Sequence, residues 1–397
     1  MISNILVRQS IQQTLKDFPW SYCEQDKNLF ALIDGILANR YTSWNGIVRW
    51  SFSDITVKKF WYLAHNSYDY LEGCFKKINR EFNTIDKRNT FYVSIDDTGE
   101  QRYGTKVFAA SSFKNHTNNG YTYGNTIVDC YVHSNTYLET DYMPYISKKY
   151  IEKHNDESFE FQTKIELGFK QIQSKLKTLS NLGISKDKIW LTMDSWYISD
   201  VLISLAKEQG INYLIGIKKN AVCVQFGKEF NLENLFDNDH DWREIKNQSS
   251  GKIAYYKVRT LNFKSYGRHK LFAIKRGQDK RIHYYITNQL KMTIQTFANR
   301  WKHHWQIERF HFYIKEFFGF EECHSGSEIV NRFQWILSHL LYKLFWSFQR
   351  QLQKNGLFFT LERLWEFYCL DYDLERAHKL IYYKKNQKLL KQKLMTV

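Results

Sequence analysis

Several things are scarce in this 397-residue chain, and each scarcity removes a class of protein. There are two prolines and six cysteines, and the cysteines (Cys23, Cys74, Cys130, Cys223, Cys323 and Cys369) stand at wide intervals. Without paired spacing they suit neither a zinc site nor a disulfide framework, and they read as reduced bystanders. No window approaches the ~20 apolar residues that a spanning helix needs, and the N-terminus lacks a signal-peptide core. A soluble, cytoplasmic protein with no membrane partner is expected. Acids are in deficit, 41 Asp+Glu against 57 Lys+Arg, which leaves a formal charge of +16. A field of that sign draws polyanions, so nucleic acid is the expected partner.

What the chain has in quantity is aromatic side chains, 17% of residues beside a mean hydropathy of −0.54. That is far too aromatic for a disordered chain. The excess is compatible with base stacking, although a low-GC coding bias or plain core packing explains most of it more cheaply. The length is enough to bury a large core and to form two or three domains.

Residues 1–85 carry helical patterning, with Ser43 capping Trp44 to Trp50 and Ser53 capping Ile55 to His65. Short helices joined tightly, with Arg49, Lys58 and Lys59 nearby, fit a DNA-reading helix-turn-helix or an ordinary helical packing domain. From about residue 90 the pattern is that of strands: Phe91 to Asp96, a turn over Thr98 to Gly104, then Thr105 to Ser112 and Thr126 to His133. A long helix follows, with Asp156 as its cap and an end near Gly183. A βαβ unit completes the series: strand Lys188 to Met193, helix Ser199 to Gln209 and strand Asn212 to Ile217. The order β-β-β-α-β-α-β predicts an α/β, RNase H-like mixed sheet flanked by helices. The catalytic domain would comprise residues 86–218 and 296–350, interrupted by a β-rich insertion over 219–295. A helical N-terminal DNA-binding domain would precede it, and a basic helical region over 351–397 would follow. The lysines from Lys379 to Lys393 suit a solvated face or a phosphate-contacting tail.

The segment from Arg300 to Lys315 is the most informative. At about 100° per residue, one continuous helix would align Trp301, His304, Trp305, Glu308, Phe312 and Lys315 in a narrow stripe. A carboxylate amid bulky aromatic groups suits a buried or DNA-covered site. Two further acidic positions end strands: Asp96-Asp97 in Val93-Ser94-Ile95-Asp96-Asp97-Thr98, and Asp194 in Trp190-Leu191-Thr192-Met193-Asp194. Acids at the C-terminal edges of neighbouring strands face one crevice, where mutual repulsion favours a divalent cation. Mg²⁺ fits hard oxygen ligands, and paired ions can serve phosphodiester cleavage and strand transfer.

These motifs resemble those of insertion-sequence DDE transposases of the cut-and-paste type, whose third acid lies in a Tyr-x2-Arg-x3-Glu-x6-Lys signature. Here Trp301, His304, Glu308 and Lys315 fill that spacing, with Trp in place of Tyr and His in place of Arg. Trp305-Gln306-Ile307-Glu308-Arg309-Phe310-His311 is similar to the family's Trp-x-Ile-Glu-x-Phe-His pattern, and the resemblance spans about residues 90–350. It implies Asp97, Asp194 and Glu308 as catalytic residues and metal ligands. Strand alternation leaves Asp96 and Asp97 on opposite faces, and the position directly before Thr98 fits the family motif. The resemblance further implies Mg²⁺, with Mn²⁺ as a substitute, and DNA contacts from Trp301, His304, Arg309 and Lys315. Double-stranded DNA and a homodimer assembled on it would be the partners, with the protein nucleoid-associated. Trp242, in the β-rich segment, is a counterpart for the aromatic on which the family stacks a flipped base. A structure-selective nuclease of the same fold and a non-cleaving DNA-binding protein are the alternative readings.

Overall fold

The computed structural model describes residues 7–16, 23–38, 43–50, 55–81, 83–104, 106–115, 120–154, 158–236, 242–246, 253–276, 281–323 and 325–394. The chain divides into two compact units: residues 1–82, 102–108 and 312–397 form one, and residues 83–101 and 109–311 form the other.

The second unit is a mixed α/β structure built on one large open sheet. Its strands are β1 (Phe91–Gln101), β2 (Ser111–Asn115), β3 (Gly120–His133), β4 (Leu138–Pro144), β5 (Ile189–Met193), β6 (Asn212–Ile217), β7 (Val222–Gln225), β8 (Lys228–Asn231), β9 (Arg243–Lys246), β10 (Ile253–Phe263), β11 (Gly267–Arg276) and β12 (Ile282–Thr287). Their order is β2-β3-β1-β5-β6-β12-β11-β10-β7-β8, with β4 on β3 and β9 on β10. β1, β5 and β6 run parallel, and the other neighbours pair antiparallel. The strands of residues 219–295 therefore continue the sheet past β6 rather than forming a sheet of their own.

Alternation along β1 assigns its side chains to two faces. Phe91, Val93 and Ile95 enter a large apolar core with Val128, Cys130, Leu191, Met193, Tyr213 and Ile215. Tyr92 enters a second core with Trp190, Leu214, Phe272, Tyr285, Phe297 and Trp301. α6 (Lys164–Asn181) supplies Leu167, Ile172, Leu176 and Leu179 to the first core, and α7 (Asp200–Gln209) supplies Leu202, Ile203, Leu205 and Ala206. Burying each such Leu or Ile contributes roughly 1.5–3 kcal/mol. α8 (Ile294–Trp301) supplies Phe297 and Trp301 to the second core.

The cap of α6 is Thr163, whose hydroxyl accepts from Glu166 N while the Glu166 carboxylate accepts from Thr163 N. This reciprocal box starts the helix at Lys164, and Asp156, the expected cap, lies outside the described residues. β1 also runs on to Gln101, through the segment expected to turn. Ten-residue pairing with β3 overrides the turn tendency of Gly99. A Cβ at Gly99 would lie 2.3 Å from the Phe113 ring, so the missing side chain makes room for β2. β2 accordingly begins later than the strand expected from Thr105. β4 lies outside the expected strand set: its Glu139 and Asp141 interrupt an apolar pattern, and Lys175 of α6 pairs with them at 2.8 and 3.0 Å.

The first unit is helical: α1 (Val7–Lys16), α2 (Cys23–Ala38), α3 (Trp44–Trp50), α4 (Val57–Glu81), α10 (Glu328–Lys354) and α11 (Leu361–Leu394). Ser43 caps α3, its hydroxyl accepting from Gly46 N. α4 begins after Thr56, whose hydroxyl accepts from Lys59 N, and continues well past His65; Ser53 lies outside the described residues. Arg8 bridges Asp34 with two hydrogen bonds of 2.8 and 2.6 Å, and Tyr368 donates to the same carboxylate. The side chains of Arg49 and of residues 379–394 lie outside the described set. α5 (Lys148–His154) is a short helix of the sheet unit, and α9 (Trp305–Glu316) carries Glu308.

Candidate active site

Register alone places two carboxylates side by side. Ser94 and Thr192 are partners across the parallel β1–β5 pair, and their hydroxyls hydrogen-bond at 2.8 Å. Two residues farther along each chain, on the same face, stand Asp96 and Asp194. Burial pushes the Asp96 carboxyl up to about 7; nearby His311 opposes the rise, and the charges of Asp97 and Asp194 add to it. Asp96 Oδ1 accepts from Asp97 N at 2.9 Å, and Asp194 Oδ1 accepts from Ser195 N at 2.6 Å. Both acids therefore have one oxygen held by the next backbone amide.

Asp97 points to the opposite face. Its Oδ2 pairs with Lys164 Nζ at 2.7 Å, and its Oδ1 accepts from Tyr197 OH at 2.9 Å. Tyr197 N in turn donates to Asp194 O at 3.1 Å. Asp97 is thus a neutralised strut joining β1, α6 and the turn after β5. Strand alternation separates the two neighbours, and it is Asp96 that shares a face with Asp194.

The predicted continuous helix is broken. The chain turns at Lys302 to His304 between α8 and α9, so Trp301 and His304 do not share a helix with Glu308. Trp301 is 8% exposed and packs on Tyr285, with ring centroids 4.5 Å apart. His304, 3% exposed, stacks on Trp301 at 4.5 Å. Burial lowers the His304 imidazole to about 4, against the pull of Asp194, so it is neutral at pH 7. Both residues are interior, where aromatic packing decided their positions.

On α9 the outward residues are Trp305, Glu308 and Phe312, and Arg309 is also exposed. Lys315 pairs with Glu321 at 3.3 Å. Among the described residues, no three His, Cys, Asp or Glu side chains lie close enough together to hold a metal ion. Of the acids expected to converge, Asp96 rather than Asp97 stands beside Asp194, and Glu308 completes no three-ligand set with them among the described residues.

Residues that the sequence did not single out complete the surroundings. Asp129 of β3 lies directly opposite Asp96 and is fully buried, and His311 Nε2 is 2.8 Å from its Oδ2. A lone acid inside the apolar run Ile127-Val128-Asp129-Cys130 was the available signal, because a buried charge needs a partner. Trp196, just past Asp194, is 56% exposed, with Lys218 Nζ 5.0 Å above its ring. Trp242 has Lys275 Nζ 4.2 Å above its ring, which occupies one face of the indole.

Residues 168–344 match the family model described as the transposase DDE domain. The match supports a DDE transposase, with DNA as the implied partner. It covers Asp194 and Glu308 and begins within α6, after the strand that carries Asp96 and Asp97. No curated protein matches the chain. Among the described residues, no helix is long and apolar enough to cross a membrane.

Proposed function

We propose that the protein is a cut-and-paste DNA transposase of RNase H-like fold that cleaves the ends of a mobile DNA element and joins the freed 3′-hydroxyl to target DNA. The observation that carries this reading is the placement of Asp96 beside Asp194 just past the C-terminal limit of the parallel β1–β5 pairing, in a chain whose residues 168–344 match the transposase DDE domain. The crevice at such strand ends is where open α/β sheets place their chemistry.

The residues fit a divalent ion. Asp96 is desolvated and faces a second carboxylate, an arrangement relieved by a cation. Mg²⁺ needs only one or two carboxylates together with substrate phosphate and water. Asp96 and Asp194 would hold it and Mn²⁺ would substitute, with Glu308 of α9 as the third acid that the resemblance implies. The assignment takes Asp96 in place of Asp97, because Lys164 and Tyr197 already occupy both oxygens of Asp97. When bound, such ions supply an activated oxygen nucleophile and neutralise charge on the leaving oxygen.

The remaining roles fall to groups outside the acid pair. Arg309 and Lys315 are the cations for phosphates near the cleaved end, and the Trp196 ring offers a surface for a base at the mouth of the site. Trp301 and the neutral His304 act instead as the packed wall behind Asp194. Residues 86–218 and 296–350 would be the catalytic domain, with residues 1–85 reading the ends and 219–295 extending the sheet as the family's β-rich insertion. Two ends call for two active sites, so a homodimer forms on the DNA of the nucleoid.

The test uses the full chain and linear DNA bearing the element's own terminal repeats. Nicking at the ends is expected with Mg²⁺ or Mn²⁺ and not with EDTA. Asp96→Ala, Asp194→Ala and Glu308→Ala should each reduce nicking to background while mobility shifts still show end binding, because basic contacts to phosphates dominate affinity. Wild-type nicking by any of the three would remove that residue from the site. Equal cleavage of DNA junctions lacking the repeats would favour a structure-selective nuclease.

A further inference from the structure

We infer that His311, anchored by the buried carboxylate of Asp129, is a positioning residue that braces α9 against β1 and orients Asp96 for metal binding. The inference rests on the reading of Asp96, Asp194 and Glu308 as metal ligands.

Asp129 and Asp96 are cross-strand partners on one face of the sheet. Two carboxylates so placed repel unless something spans them. The imidazole of His311 does so. Its Nε2 is 2.8 Å from Asp129 Oδ2, and its Nδ1 is 3.9 Å from Asp96 Oδ2, beyond a hydrogen bond but within ion-pair reach. Asp129 has no exposed side-chain surface and His311 has 10%, so the anchored end of this contact is shielded from water. The helix is seated at the same place by Phe310, whose ring lies 5.4 Å from that of Tyr131 in β3.

The consequence concerns two ligands at once. Asp96 Oδ1 is held by Asp97 N, so the rotation of the carboxylate is decided by what faces Oδ2, and that is His311. Glu308 lies three residues before His311 on α9, about one turn away, so the anchor at Asp129 also decides how far Glu308 stands from β1. Partners that orient ligating carboxylates in this manner typically change metal affinity by about 10–100-fold when removed.

The test measures Mn²⁺ binding to the full chain by calorimetry without DNA, alongside end binding and thermal melting. His311→Ala is expected to weaken Mn²⁺ binding by about 10–100-fold while end binding stays at the wild-type level. His311→Gln, whose amide can still donate to Asp129, should recover most of that loss. Should His311→Ala fail to fold, Asp129→Asn keeps the shape and an acceptor oxygen, and it should weaken Mn²⁺ several-fold. The inference is overturned by a folded His311→Ala protein with wild-type Mn²⁺ affinity, by an Asp129→Asn protein with wild-type affinity, or by a His311→Gln protein as impaired as the alanine variant. A wild-type protein that neither binds Mn²⁺ nor nicks DNA would instead defeat the transposase reading itself.

Discussion

The two faces of β1 carry the same kind of charge and treat it in opposite ways. On the face shared with α6, Asp97 meets a lysine ammonium and a tyrosine hydroxyl, and its charge is satisfied inside the protein. On the other face, Asp96 meets a second carboxylate and a histidine, and its charge is left costly. Compensated carboxylates stabilise a fold, whereas a desolvated carboxyl facing a second acid in a crevice is a functional-site candidate. The difference between a paired acid and one left facing a second carboxylate is here one residue of strand alternation.

Exchanging the two acids for amides is the strongest way to break that comparison. Asp96→Asn should bring nicking of end DNA to background, whereas Asp97→Asn should keep nicking within about tenfold and instead lower the unfolding free energy by about 1.5–3 kcal/mol, the usual worth of a hydrogen bond to a charged group. Denaturant melts and a nicking assay on both proteins would decide it, and the reverse pattern would return Asp97 to the site. The next largest effect is expected at Gly216 of β6. A Cβ there would sit 2.9 Å from Ser195 N and 3.3 Å from Asp194 Oδ1. Gly216→Ala should therefore displace Asp194 and slow single-turnover cleavage by about 10²-fold, since small misplacements carry such penalties, with end binding intact.

A third contrast is one of pH. The Asp96 carboxyl rises from its ordinary value of 3.8 to about 7 in the folded chain, so the native state binds this proton more tightly than the unfolded state does. Its stabilising contribution is complete below about pH 4 and is lost as pH rises through about 7. In EDTA, the melting temperature of Asp96→Asn should therefore gain on that of the wild type between about pH 4 and about pH 7 and stay ahead above it. Parallel melting curves across that range would refute the shift. The smallest effect is expected outside the crevice: Arg309→Ala should weaken end binding a few-fold and flatten its salt dependence by about one counterion, without changing the cleavage rate of bound DNA.

Much of the sheet unit is legible in the sequence because its signals are local. Apolar runs bounded by caps and glycines place β5, α7 and β6 within about a residue of their observed limits, whereas the Glu308 motif is picked out by its resemblance to a family signature. The misreadings share a different cause. β4 is hidden because its acids are neutralised by Lys175, a residue distant in the chain. A continuous helix over Arg300 to Lys315 is the natural expectation because every residue in it tolerates a helix. The chain turns instead at Lys302 to His304, where Trp301 is packed into the core with Phe272 and Tyr285, so tertiary packing overrode local propensity. His311 carries no local mark of a brace, since its partner Asp129 is 182 positions away.

By itself the sequence determined the basic charge of the chain, the order of its main strands and helices, and the presence of acids on β1, directly after β5 and on one later helix, because these depend on composition and short periodicities. Only the tertiary structure decided which member of the Asp96-Asp97 pair faces Asp194, that Trp301 and His304 are interior, and that Asp129 and His311 stand beside the carboxylates. Those outcomes depend on strand register and on side chains meeting across long stretches of chain, and no local pattern encodes which partner a buried charge will find.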